Sequence, residues 1–127
     1  MKTLRCSVLS GNAEKKNSPL TLEVADSFFS RFRGLMLRKT LPPGHGLLLA
    51  PCNSIHMCFM RFAIDAVYID REYRVVKVVT GLRPWIGLSL CLHAAGVIEL
   101  PAYTAMRYGM VCGAQLEMVD AVGTGAI

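Results

Sequence analysis

Apolar and polar residues alternate, or apolar residues run together, in a series of short segments that predict β-strands. The segments are residues 2–9, 20–25, 47–50, 55–61, 64–69, 74–79, 97–100 and 115–119. Residues 74–79 are the most β-branched of the set, and residues 20–25 have the alternation of a half-buried strand. The short polar segment 70–73 predicts a hairpin connection. We therefore predict an α+β, mainly β fold.

Two segments carry helical signals. Asp26 or Ser27 can cap a helix to about Leu37, in which apolar side chains recur at helical spacing. Pro101 and Gly109 are well placed to open and close a second, short helix. Residues 80–88 contain two glycines, a proline and the single tryptophan, which predicts an irregular apolar loop over a groove. Residues 89–95 are ambiguous.

Length and composition limit the class of protein. The 127 residues predict a single domain over residues 1–127, with a frayed tail at 120–127. No apolar run approaches the roughly 18 residues of a membrane span, and no signal peptide is evident, so a cytoplasmic location is expected. The net charge of +5 suits an anion, an acidic lipid or a nucleic acid. Nucleic acid is not favoured, because no basic run is interleaved with aromatics.

The long apolar stretch of residues 54–70 contains polar groups that need partners if they are buried. His56 and Asp65, with Ser54 nearby, are the residue types of nucleophilic catalysis. Asp65 could instead cap the bend of the chain, or form an ion pair with Arg61 or Arg31 that would explain the same residues structurally. Arg31 could also hold an anion, because its planar fork matches carboxylate or phosphate, and Trp85 could close such a pocket.

Soft metal ligands are a further possibility in the same stretch. His56, Cys58 and Met60 alternate, so on a strand they would share one face, and Cys52 could join them; such a set suits copper(I). Cys58 and Met60 are as readily explained as core residues, which is the interpretation we favour. The five cysteines form no C-x-x-C motif, so neither a disulfide framework nor a zinc ribbon is expected. No cofactor is predicted.

Three blocks resemble the signature motifs of a known family. They are residues 31–38 (RFRGLMLR), 54–65 (SIHMCFMRFAID) and 97–102 (VIELPA). In this order, within a core of about residues 20–119, they resemble the domain-of-unknown-function 192 family, whose members are mostly small prokaryotic proteins, many of them exported. The resemblance implies a small barrel-like, antiparallel-rich sheet with one or two short helices, and no established reaction.

The chain departs from the family pattern at two places. Tyr103 stands where the family usually has glycine, and Ala114 stands where it has aspartate. Any site that requires that aspartate is therefore absent here.

The leading functional hypothesis is a binding module for a small polar or anionic ligand, or for a partner peptide. Its candidate contact residues are Arg31, Ser54, His56, Arg61, Asp65 and Trp85. The alternatives are a hydrolase-type enzyme that uses His56 and Asp65, and a structural accessory subunit without a small-molecule ligand. No phosphate-binding loop, H-E-x-x-H motif or nucleophile elbow narrows the chemistry.

Overall fold

The computed structural model describes residues 2–9, 19–25, 27, 40–57 and 60–120. The helix predicted from residue 26 or 27 to 37 lies outside the described residues except for Ser27. Arg31, Cys58 and most of the predicted tail also lie outside them.

Nine strands and one short helix make up the described chain, which confirms the predicted α+β, mainly β class. The strands are β1 (Thr3–Val8), β2 (Leu20–Ala25), β3 (His45–Leu49), β4 (Ser54–His56), β5 (Ile64–Ile69), β6 (Val75–Leu82), β7 (Leu88–Leu90), β8 (Gly96–Pro101) and β9 (Leu116–Asp120), and the helix is α1 (Thr104–Arg107). Within the described ranges, no helix has both the length and the apolar character needed to cross a membrane.

Seven of the strands form one curled sheet, in the order β6-β5-β8-β3-β2-β1-β9. All neighbours are antiparallel except β2 and β3. The curl brings the two edge strands together at one end, where Arg74 and Gln115 form a bridge and the Leu116 N–H donates to the Tyr73 carbonyl at 2.9 Å. The remaining strands, β4 and β7, pair as a separate two-stranded ribbon.

The sheet buries both of its faces. Side chains that alternate along the strands, such as Leu22, Leu48, Val67 and Ile98, fill the concave inner face together with Ala105 of α1. The other alternate set, including Leu47 and Tyr68, forms a second core with residues of the ribbon. Because both faces are covered, β5 is buried at all six positions.

Three predicted elements are corrected by the structure. The strand predicted at 55–61 ends at His56, because the next residue turns: the Met57 carbonyl accepts the N–H of Met60 at 3.1 Å. The loop predicted at 80–88 begins later, since β6 continues to Leu82. The second helix is only Thr104–Arg107, because Pro101 still belongs to β8.

Asp65 connects three parts of the fold by hydrogen bonds. Its side chain is fully buried in β5, and its oxygens accept three backbone N–H groups. Oδ1 accepts from Gly81 at 3.0 Å and Tyr103 at 2.9 Å, and Oδ2 accepts from Ala105 at 3.0 Å. Gly81 (φ 66°) lies where the β5–β6 register shifts, and Tyr103 (φ 68°) is the N-cap of α1. One carboxylate thus stabilises a bulge and a helix start.

We predict that Asp65→Asn lowers the free energy of unfolding by about 2–4 kcal/mol, measured by urea denaturation. Both oxygens of Asp65 accept backbone N–H groups. In either orientation, the amide of the Asp65→Asn variant would therefore place its NH₂ group, which cannot accept a hydrogen bond, against at least one of these N–H groups. Asp70→Asn is the matched control, because both bonds to Asp70 from the Glu72 and Arg74 N–H groups use Oδ1 alone. Equal losses in the two variants would contradict this account.

Candidate functional site on the β4–β7 ribbon

The ribbon of β4 and β7 has an inward and an outward face. Ile55 lies opposite Ser89, and both are buried against the outer core of the sheet. Side chains alternate along each strand, so the neighbouring pairs Ser54–Leu90 and His56–Leu88 face the other way. Leu88 and Leu90 are exposed there, Ser54 is exposed, and His56 is half-buried. We call the outward side formed by these four residues the ribbon face.

Two turns meet at one end of the ribbon. The Met57 carbonyl accepts the N–H of Met60 at 3.1 Å and the N–H of Trp85 at 2.6 Å, and the Met57 N–H donates to the Gly87 carbonyl at 2.9 Å. The turn that leads into Arg61 is thereby tied to the turn of residues 83–87. Trp85 lies in the middle of the turn of residues 83–87. Its φ of 70° is a left-handed conformation, which costs a non-glycine residue about 1–2 kcal/mol.

The structure brings together some of the predicted contact residues and separates others. Ser54 and His56 are on the ribbon face, Trp85 is more than half exposed at its end, and Arg61 is exposed just beyond the adjoining turn. Asp65 is on the opposite side of the sheet, with its oxygens bound to backbone N–H groups. In this arrangement Asp65 does not orient His56, and it serves the fold.

A polar cluster lies beneath the ribbon, on the outer face of the sheet. The Tyr68 hydroxyl donates to Ser89 Oγ at 3.0 Å. Burial raises the pKa of Tyr68, the hydrogen bond with Ser89 opposes this shift, and Cys52, Cys91 and Glu99 raise it further. The phenol therefore stays protonated at neutral pH and acts as a donor that holds the ribbon to β5.

The cysteines divide by environment. Cys6 is buried in the inner core, and burial raises the pKa of its thiol to about 12, so it behaves as a small hydrophobic residue. Cys52 and Cys91 are half-buried, and Cys112 is exposed. Met60 is buried in the outer core, as expected for a core residue. Among the described residues, no three His, Cys, Asp or Glu side chains are grouped so that they could hold a metal ion.

A cleft of about 680 Å³ lies beyond the far end of the ribbon. Its lining includes Asn53, Asp70, Arg71, Glu72 and His93, and none of the predicted contact residues. Asp70 Oδ1 is engaged by the N–H groups of its own turn. The negative charges of Asp70 and Glu72 outnumber the positive charge of Arg71, so this cleft offers no net positive charge to an anion.

Sequence reasoning missed two features of the ribbon. Arg83 precedes the turn that carries Trp85 and is exposed, yet it was read only as part of a loop. The strand Leu88–Leu90 was not predicted: Leu88 was assigned to the loop at 80–88 and the next two residues to the ambiguous segment 89–95, and the structure shows a strand with one covered face. The absence of any Asp or Glu from residue 73 to residue 98 was the available signal that this region is electropositive.

Comparison with known proteins places this curled sheet with a covering ribbon in a family of uncharacterised proteins. The family model described as "Uncharacterized ACR" (DUF192) matches residues 10–118. This chain belongs to the DUF192 family, which confirms the resemblance seen in the sequence.

Individual relatives agree with this assignment. A UPF0127 protein of Pyrococcus furiosus is 38% identical over 110 residues, which is 80% of this chain and 91% of that protein. A UPF0127 protein of Pyrococcus abyssi is 43% identical over 70 residues, and the match spans 50% of this chain and only 56% of the relative. A solved structure of a candidate transcription regulator from Sinorhizobium meliloti 1021 has a TM-score of 0.81, with 24% identity and coverage of 91% and 93%. At that identity the likeness shows the fold alone.

We predict that Gly87→Ala loosens the junction between the two turns and lowers the free energy of unfolding by about 1–3 kcal/mol. A Cβ at residue 87 would lie 2.7 Å from the Arg83 carbonyl oxygen and 2.6 Å from Met57 Cγ, so the backbone must shift. Urea denaturation followed by Trp85 emission measures both the stability and the junction. Ile86→Ala, an exposed change in the same turn, should cost much less; a Gly87→Ala protein as stable as this control would argue against a tight junction.

Proposed function

We propose that this chain is a binding module that takes an anionic ligand at the ribbon face, with Ser54, His56, Arg61 and Trp85 as contact residues. Arg31 stays a predicted contact outside the described residues, and Arg83 joins the set. Asp65 contributes indirectly, because it holds the bulge that leads from β6 into the turn of Arg83 and Trp85.

The observation that carries this proposal is the sign of the charge around the ribbon. From residue 73 to residue 98 the chain contains Arg74, Lys77 and Arg83 and no Asp or Glu. Arg61 and Arg83 are both exposed; Arg61 directly follows one of the two turns joined at the Met57 carbonyl, and Arg83 begins the other. Arginine offers a planar set of donors that suits carboxylate and phosphate groups. An indole beside such cations adds a flat apolar contact for the rest of a ligand.

The hydrolase alternative is supported less well, because its two named residues lie on opposite sides of the sheet. A partner peptide remains a second candidate for the ribbon face. It is favoured by the exposed Leu88 and Leu90 on β7, since an extended segment binds by contacts of this kind along a strand.

The proposal predicts that soluble anions stabilise the protein in a thermal-shift screen of phosphate, sugar phosphates and small carboxylates. A ligand at a hundredfold its dissociation constant adds about 2.7 kcal/mol, which corresponds to a rise of several degrees in Tm for a chain of this size. His56→Ala and Arg83→Gln should each reduce the rise.

Arg5→Gln is the control for loss of a positive charge, because Arg5 is exposed on β1, away from the ribbon. Anions that shift Tm equally in Arg5→Gln and Arg83→Gln would indicate a non-specific charge effect. A screen without any shift would count against the anion and leave the partner peptide as the candidate ligand.

A further inference from the structure

The turn and strand after β6 carry an unusual concentration of exposed apolar side chains. Ile86, Leu88 and Leu92 are 74%, 73% and 75% exposed, and Trp85 and Leu90 are about half exposed. Five of the eight residues from 85 to 92 are thus large apolar side chains in contact with solvent. We call them the apolar strip. Large contiguous apolar surfaces on a folded protein mark sites of interaction.

The strip keeps its exposure because of how β7 is built. Ser89 is the one β7 side chain directed inward, where it accepts the Tyr68 hydroxyl hydrogen bond. Leu88 and Leu90 must then point outward, and the turn tied to Met57 holds Trp85 and Ile86 beyond the strand end. The apolar side chains therefore project from a fixed backbone.

Cations border the strip. Lys77 Nζ donates to the Leu90 carbonyl at 2.8 Å, which brings its ammonium group to the edge of β7. The Arg83 carbonyl accepts the Gly87 N–H at 3.0 Å, so Arg83 lies at the base of the turn that carries Trp85. Residues 73–98 contain no Asp or Glu. The surface is apolar in the middle and positive on the side of Lys77 and Arg83, whereas its Leu92 end borders the cleft that contains Asp70 and Glu72.

We propose that the apolar strip docks on the surface of a bilayer that contains anionic lipids. Trp85, Ile86 and Leu88 enter the boundary between headgroups and acyl chains, while Lys77 and Arg83 meet anionic headgroups. This inference rests on the proposed function, because it identifies the bound anion as a lipid headgroup.

The chemistry of the strip matches this occupant. Tryptophan is enriched at membrane interfaces because its ring is apolar and its N–H is polar. Aliphatic side chains beside it gain free energy by leaving water, and basic residues next to them are attracted by the negative surface potential of anionic lipids. A second copy docked through Trp85, Ile86 and Leu88 would instead bring Lys77 and Arg83 of the two copies together, since Asp70 and Glu72 lie at the other end of the strip, in the cleft that Leu92 lines.

The single tryptophan makes the test direct, because Trp85 lies within the strip. The full chain is mixed with vesicles of phosphatidylcholine alone, or of phosphatidylcholine with about 30% phosphatidylglycerol, and Trp85 emission and vesicle co-sedimentation are recorded. With the anionic vesicles we expect emission at shorter wavelength, quenching by brominated acyl chains, and co-sedimentation. With the neutral vesicles we expect much weaker partition.

Two variants separate the apolar and electrostatic contributions. Leu88→Ser should lower partition into anionic vesicles about tenfold or more, because it removes an exposed apolar side chain from the strip. Arg83→Gln should lower it about fivefold, as expected for one cation near an anionic surface. Met106→Ser is the control for exposed apolar side chains, because Met106 is 68% exposed on α1 and borders a different cleft with Val111 and Cys112. Arg5→Gln again controls for charge.

Unchanged Trp85 emission with anionic vesicles would overturn the inference. Equal partition into neutral and anionic vesicles would also overturn it, and so would an equal loss of partition into anionic vesicles in Leu88→Ser and Met106→Ser. Reversible dimers that vanish in Leu88→Ser, without vesicle binding, would assign the strip to a second copy and also overturn it. Soluble anions that raise Tm without vesicle binding would leave the proposed function standing alone. Binding to anionic vesicles without any effect of soluble anions would exclude a free anion as the ligand and support the lipid headgroup as the anion that the ribbon face binds.

Discussion

The carboxylate of Asp65 is the constraint on which the rest of the structure depends. It is buried, its hydrogen-bond partners within the described residues include no cation, and it is stabilised by backbone N–H groups from two separate regions of the chain. A buried charge is tolerated only when such bonds are made. The left-handed conformation of Tyr103 has a high intrinsic energy for a non-glycine residue. This residue and the bulge at Gly81 are both held in place by the one Asp65 side chain.

The same interaction connects the fold to the candidate site. The bulge bound by Asp65 is followed within a few residues by Arg83 and Trp85, whose turn is fixed at the other side by the Met57 carbonyl. The inner face of the sheet therefore determines where the electropositive turn lies on the outer side. Asp65, which is close to His56 in the sequence but on the other face of the sheet, therefore supports the ribbon face from a distance.

The sequence predicted best those strands in which burial of one face or of both faces leaves a local pattern of apolar residues. β5 and β6 follow directly from a continuous apolar run and a β-branched run. A partner for Asp65 was expected, but the bonds come from groups 16, 38 and 40 residues away, and such separations leave no local signal. The stretch after His56 reads as a strand, yet it turns because the Met57 carbonyl bonds to Met60 and Trp85. Ser54, His56 and Trp85 could be named as candidate contacts from the sequence because they are chemically distinctive, whereas Arg83 becomes a candidate only through a turn that the tertiary structure defines.

The pairing of β1 with β9 has a consequence for how the chain reaches this state. These strands come from the beginning and the end of the described chain, and they lie side by side at five paired positions from Leu4 to Val8. During synthesis, the edge of β1 that faces β9 stays open until residues 116–120 have left the ribosome. Until then, the nascent protein presents an uncovered strand edge, the kind of surface on which unfinished chains associate with one another.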